Sequence, residues 1–248
     1  MDGDYLRRGA AEFVGAFALT FIGAGVVMTT LGRDVVAIAF AHGLVIAVFV
    51  SALGHISGGH FNPAVTLGFL VTRRMSKALA AIYWLSQFGG AVSAALLLWW
   101  IYPASEAVKP THLGSPALNH LIGSGAGAFV EGVGTFFLVF VVFATAADPR
   151  GTFKSIAGLA IGFTIALGAL AFAPLTGAAF NPSRAFGPIL VNDAWTVDSW
   201  IWLVGPCVGA VVGALAYEWL YLRPPKPAPV GPPETGLEEP GPGQTAAS

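Results

Sequence analysis

Two tripeptides, Asn62-Pro63-Ala64 and Asn181-Pro182-Ser183, stand 119 residues apart (181 − 62) in a chain with few other polar clusters. Asn followed by Pro is a helix start. The Asn oxygen accepts from the first turn, while Pro presets φ and lacks an N–H that would go unpaired. With its oxygen used by its own helix, each Asn has its side-chain NH2 left as a donor. Arg184, on the first turn after Asn181, adds a fork of donors and a fixed positive charge. Such groups suit hydrogen bonding to a polar solute. The sequence pairs no nucleophile with a base and clusters no metal ligands around them, so neither catalysis, nor a metal, nor a cofactor is expected.

The same offset relates Glu12-Phe13-Val14-Gly15 to Glu131-Gly132-Val133-Gly134, Phe17 to Phe136, Ala41 and Gly43 to Ala160 and Gly162, and Gly68 to Gly187. A register held without net insertion is an internal duplication. The copies are expected over about 6–102 and 123–222, within one domain of residues 1–222.

The 248 residues are 55% hydrophobic and 10% charged, with mean hydropathy +0.72. Soluble domains carry roughly a quarter charged residues, so the chain reads as an all-α integral membrane protein. Apolar stretches of spanning length fall at 6–31, 35–54, 76–102, 123–146, 155–173 and 200–222. Two shorter ones, 63–71 and 182–191, cannot cross a hydrocarbon core of about 30 Å. The first stretch is too long for a signal peptide and carries the repeat residues Glu12 and Gly15, which keeps it as a span. Cys207, the single cysteine, excludes an intramolecular disulfide.

Arg7, Arg8, Arg73, Arg74, Lys77, Arg150, Lys154, Arg223 and Lys226 fall on the termini and even-numbered connections; only Arg33 and Lys109 fall on the odd-numbered ones. The positive-inside rule then puts both termini in the cytoplasm, with the cell membrane as the expected location. No basic cluster suits nucleic acid. Residues 223–248, rich in Pro, Gly and Glu, read as a disordered cytoplasmic tail, and 103–119 as an external loop joining the copies.

Each copy holds three spans, so the second enters the membrane inverted, and the two Asn-Pro pieces approach the midplane from opposite faces as half-helices. The stretches leading into them, 54–61 and 173–180, are Gly-rich and expected to be non-helical, with carbonyls of Gly58, Gly59, His60, Gly177, Ala178 and Ala179 lining a lumen. Asn caps without adding negative charge, and two positive helix ends at one point repel cations. Glu12 and Glu131 have no repeat-matched basic partner and are read as structural acceptors for loop N–H groups, in preference to a proton relay.

The run His55-Ile-Ser-Gly-Gly-His-Phe-Asn-Pro-Ala-Val-Thr-Leu-Gly68, with Asn181-Pro-Ser-Arg-Ala-Phe-Gly-Pro188, resembles the two signature boxes of the aquaporin, or major intrinsic protein, family. The resemblance covers roughly 7–222. It implies an hourglass of six transmembrane helices plus two re-entrant half-helices, one pore per protomer and usually a homotetramer. Membrane lipid, water and small neutral solutes are the implied partners. It also implies a filter of His42, Ala169, Ala178 and Arg184, a set resembling the plant vacuolar-membrane branch and wider than in strict water channels. His60 is placed to narrow the inner mouth; His55 reads as structural.

The second box carries Ser183 where the family usually has Ala, which adds a hydroxyl without disturbing the cap. Ala185 is small, as in water channels, whereas Leu203 stands where those usually carry Trp, and Ile189 matches neither subgroup. A passive water channel excluding ions and protons is the leading expectation. A glycerol, urea or ammonia facilitator, an ion-coupled transporter and a closed-pore scaffold are the competing ones. A transporter would need acidic ligands at the helix breaks, where only Asn amides and a cation stand.

Overall fold

The computed structural model describes residues 3–102, 108–151 and 156–222; the 223–248 tail, Lys154 and the 103–107 part of the joining loop lie outside the described residues. The helices are α1 (Gly3–Thr29), α2 (Val35–Ser57), α3 (Pro63–Val71), α4 (Lys77–Ile101), a short α5 (Val108–Thr111), α6 (Ser124–Val142), α7 (Ala157–Thr176), α8 (Pro182–Val191) and α9 (Ile201–Tyr217). Helices α6 and α9 each run on into a π turn, Phe143–Ala147 and Glu218–Leu222. Six of these, α1, α2, α4, α6, α7 and α9, are long and apolar enough to cross a membrane. The half-helices α3 and α8, of 9 and 10 residues, match the two short apolar stretches of the sequence. At 1.5 Å per residue each reaches about half of a ~30 Å hydrocarbon core. Six spans leave both chain ends on one face, here the terminal face; the other is the distal face.

Loops are set by their caps. The Asp34 side chain accepts from Ala37 N at 2.9 Å to start α2, and Ser76 Oγ accepts from Leu79 N at 3.2 Å to start α4. Helices α2 and α7 close on left-handed glycines: Gly58 (φ 93°) donates to Gly54 O, and Gly177 (φ 79°) to Ala173 O, both at 2.9 Å. The non-helical stretches are therefore 58–61 and 177–180, shorter than the 54–61 and 173–180 expected. In the first copy the helix runs past Gly54 and ends at Gly58, which takes positive φ; in the second it runs through Pro174 and ends at Gly177, the first glycine of that stretch.

The closest helix pairs are α6 with α9, α2 with α7 and α1 with α4. The first and third are repeat counterparts. The second lies on the pseudo-twofold axis, where Gly43 and Gly162 face each other: a Cβ on Gly43 would stand 2.6 Å from Gly162 O, and one on Gly162 2.3 Å from Gly43 O. Small residues permit this approach, on which association in lipid depends, because lipid supplies no hydrophobic drive between helices. Each half-helix packs against the third span of the opposite copy, α3 on α9 and α8 on α4.

Candidate pore site

Two buried carboxylates tie down the loops. Glu12, fully buried in α1, accepts from His60 N (2.9 Å), Phe61 N (2.6 Å), Ser57 Oγ (2.6 Å) and Gln87 Nε2 (2.8 Å). Glu131, fully buried in α6, accepts from Ala179 N (3.0 Å), Phe180 N (2.8 Å) and Thr176 Oγ1 (2.7 Å). Every recorded partner of either acid is a donor, the arrangement that lets a carboxylate be buried. The copies differ in one place: the position matching Gln87 is Pro206 (87 + 119), which has no side-chain donor.

These bonds hold the backbone where it would not otherwise rest. Phe61, Ala178 and Phe180 have φ of 49°, 45° and 48°, a region that costs a residue with a Cβ about 1–2 kcal/mol. The Phe61 and Phe180 rings are seated on Gly15 and Gly134; a Cβ at either glycine would lie 2.1 Å from the ring.

The Asn side chains meet between the two loops. Asn62 Oδ1 accepts from Ala64 N at 2.9 Å, and Asn181 Oδ1 accepts from Ser183 N at 3.0 Å and Arg184 N at 3.2 Å. Each NH2 also donates across the repeat boundary, Asn62 Nδ2 to Phe180 O at 2.8 Å and Asn181 Nδ2 to Phe61 O at 2.9 Å. The sequence leads to the expectation of free amides, and the structure corrects it: one hydrogen of each is committed across the repeat boundary and one remains for the lumen. Ser183 Oγ turns back to Asn181 Oδ1 at 2.9 Å and supplements the cap. Pro63, Ala64 and Pro182 are buried in the first turns of their half-helices.

Toward the distal face, Arg184 is 3% exposed. Its Nε donates to His42 Nε2 at 3.2 Å, and His42 Nδ1 faces Ile38 O at 2.8 Å. A carbonyl only accepts, so Nδ1 carries the ring proton and Nε2 is the acceptor. Arg184 Nη1 is buried with no protein partner. His42 and Ala178 line an enclosed lumen together with Asn62 and Asn181; its volume of about 20 Å³ is one water's worth. Arg184 borders instead a wide distal vestibule of about 340 Å³. Ala169 is buried in the neighbouring apolar cluster and lines neither space.

Of the residues expected to line the lumen by their carbonyls, Gly59, His60, Ala178 and Ala179 do line it; Gly177 borders the vestibule, and Gly58 borders neither. His60 is held on three sides, by Thr66 Oγ1 at 3.0 Å from Nδ1 and by the rings of Phe69 and Tyr83 at 4.5 and 5.2 Å. Gln87 Nε2 donates to the same hydroxyl at 3.0 Å, which joins His60 to Glu12 through Thr66 and Gln87. His55 is exposed at the end of α2.

Sequence reasoning passed over Ser57, Thr176, Gln87 and Thr66, and over Phe61 and Phe180 as acceptors. Ser57 and Thr176 were findable, being related by the same 119-residue offset (176 − 57) and both hydroxyl-bearing. It also passed over Asn119, which takes up carbonyls at the distal end of α7: its N–H reaches Leu175 O at 2.8 Å and its Nδ2 reaches Pro174 O at 3.0 Å.

Comparison with known proteins agrees. Residues 2–217 match the major intrinsic protein family. The chain is 40% identical to Aquaporin TIP4-4 of Zea mays over 230 residues, 89% of each chain, and 37% identical to Aquaporin-4 of Mus musculus over 218 residues, 86% of this chain and 66% of that one. The aquaglyceroporin from Plasmodium falciparum superposes with a TM-score of 0.76 at 24% identity, covering 87% of this chain and 96% of that one, which shows the shared fold. Six spans, two crossed Asn-Pro half-helices and these relatives together establish that the chain belongs to the major intrinsic protein family, the aquaporins.

Proposed function

We propose that the chain is a passive channel in which water passes in single file between His42 and Arg184 at the distal end and His60 at the terminal end. The observation that carries this is the pair of crossed amides, Asn62 to Phe180 O and Asn181 to Phe61 O, bordering a lumen of about 20 Å³. A water at the midplane meets two amide donors and two half-helix N-termini. It is oriented to offer its lone pairs there, which breaks a donor–acceptor chain along which a proton could hop. The two helix ends and Arg184 repel cations, as in aquaporin-type pores generally. At the filter, Arg184 Nη1 donates to the passing solute, and His42 holds the guanidinium aside through Nε. Ala178 leaves room beside them for water or a small neutral solute, and Ala169 adds no bulk behind it.

The basic residues of the terminal face, Arg73, Arg74, Lys77 and Arg150 among them, support a cytoplasmic placement of that face in a cell membrane. Residues 1–222 form the channel domain with 223–248 as a cytoplasmic tail, and the protein assembles as a homotetramer, the usual state of the family.

The test is reconstitution into liposomes with stopped-flow light scattering and a parallel proton-leak assay. Water permeability above that of empty vesicles, with no added proton leak, is the expected result. Permeability equal to empty vesicles overturns the reading, and rapid glycerol re-swelling moves it to a solute facilitator.

A further inference from the structure

Beyond the pore, the cleft between α4 and α9 has two halves related by the pseudo-twofold axis, one floored by α3 and the other by α8. In the terminal half, Trp84 lies against the floor, its Nε1 donating to Pro63 O at 3.1 Å. The matching position in the distal half is Leu203 (84 + 119), and Tyr83 and Trp202 confirm that register. Tyr83 Oη donates to Ser57 O and Trp202 Nε1 to Thr176 O, the same bond 119 residues on (176 − 57). Leucine cannot reach across, and an open groove of about 460 Å³ remains.

The groove is lined by Phe88 and Phe186 toward the middle and by Ile189, Trp195, Trp200 and Leu203 toward the distal end. Leu203, Trp195 and Trp200 are 54%, 50% and 43% exposed, so it opens on the outside of the bundle. Phe88, Phe186 and Trp195 form a continuous wall, with ring centroids 5.2 and 5.9 Å apart. Its floor, α8, starts beside the crossed amides and runs 10 residues outward, about 15 Å, or one leaflet's depth. The indoles of Trp195 and Trp200 stand at its distal end, the level at which aromatic side chains meet lipid headgroups.

We infer that this groove binds one acyl chain of a distal-leaflet phospholipid, which fills the space that Trp84 fills in the other half. A carbon-lined slot at hydrocarbon depth gives water no partners, so an alkyl chain is its natural occupant. From the crossed amides to the indoles the floor runs about 15 Å, the depth one acyl chain spans in a leaflet.

Native mass spectrometry of the purified full-length protein, counting phospholipids retained per chain, tests this. Wild type is expected to keep one phospholipid per chain more than Leu203→Trp. Leu96→Trp, a change at an exposed α4 position outside the groove, is expected to keep the wild-type number. Leu203→Phe gives the same direction if the Trp variant does not fold, and unchanged water permeability certifies folding in each case. Equal lipid counts in wild type and a folded Leu203 variant overturn the inference, as does a change in oligomer mass with the lipid count unaltered.

Discussion

Arg184 Nε lies 3.2 Å from His42 Nε2, a bond between side chains 142 residues apart that belong to different repeats. His42 is fixed in turn by Ile38 O, so the guanidinium is aimed by a ring that is itself held. Replacing His42 by Ala removes both the acceptor and the wall. We expect glycerol and urea permeability to rise several-fold in stopped-flow re-swelling assays while water passage persists. Unchanged permeability to every solute would remove His42 from the filter.

Truncating the buried acids should be costly and unequal. Glu131→Ala strands the Ala179 and Phe180 N–H groups and the Thr176 hydroxyl. At about 1–3 kcal/mol for each buried unpaired donor, the loss is ~3 kcal/mol or more. Glu12→Ala strands one hydrogen of the Gln87 amide, whose other bond goes to Thr66, besides its own three matching donors, and should lower the melting temperature further. Thermal unfolding in detergent gives the order; equal melting temperatures for the two variants would contradict it.

Glycines divide by what surrounds them. A Cβ on Gly209 would stand 2.0 Å from the Gly132 carbonyl, whereas one on Gly125 meets nothing within 4 Å. Gly209→Ala must push α9 off α6 and is expected to destabilise by about 2 kcal/mol or more, in the range of overpacked contacts. Gly125→Ala should stabilise by up to about 1 kcal/mol through helix propensity. The same melting assay separates them, and a stable Gly209→Ala would show that the helices do not meet there.

On the terminal face, Arg150 donates to Asp148 from Nε at 3.0 Å and Nη2 at 2.8 Å, and the Tyr217 hydroxyl adds a bond at 3.1 Å. Arg150 above all holds the Asp148 carboxyl well below the usual carboxylate range. A folded-state value below the unfolded one gives stability that is fully present above the unfolded value, about 3.9, and is lost as pH falls through the folded one. Wild type should therefore keep its advantage over Asp148→Asn from neutral pH down to about pH 4, and lose it progressively in more acid solution. An advantage that grows with acidification would refute this.

Much of the fold was legible because membranes restrict the choices. Apolar length gave the spans, and the 119-residue offset gave their inverted arrangement. The half-helix bounds were readable because Asn-Pro marks a start and length alone forbade a crossing. What escaped depends on three-dimensional reach. Neither Phe61 nor Phe180 carries a sequence sign that its carbonyl will accept an amide from the other repeat. Gln87 carries no sign in the sequence that α4 brings it against Glu12 and Thr66. The helical turn 54–57 escapes because glycine content does not say which of Gly54 and Gly58 takes positive φ, and 173–176 because Pro174 reads as a break although α7 carries it to Gly177.

The half-helix α3 rests on α9, which is the last helix to be made. During synthesis, then, the first Asn-Pro segment has chiefly α4 to rest on until nearly the whole chain has left the ribosome, although Glu12 and Gln87 are already there to receive its loop. Helix α8 meets the reverse situation, because its seat on α4 is ready before it is made. The two copies, alike in sequence, must therefore mature in different orders. A chain truncated before α9 would carry every pore residue named above yet leave α3 without the helix it packs against most.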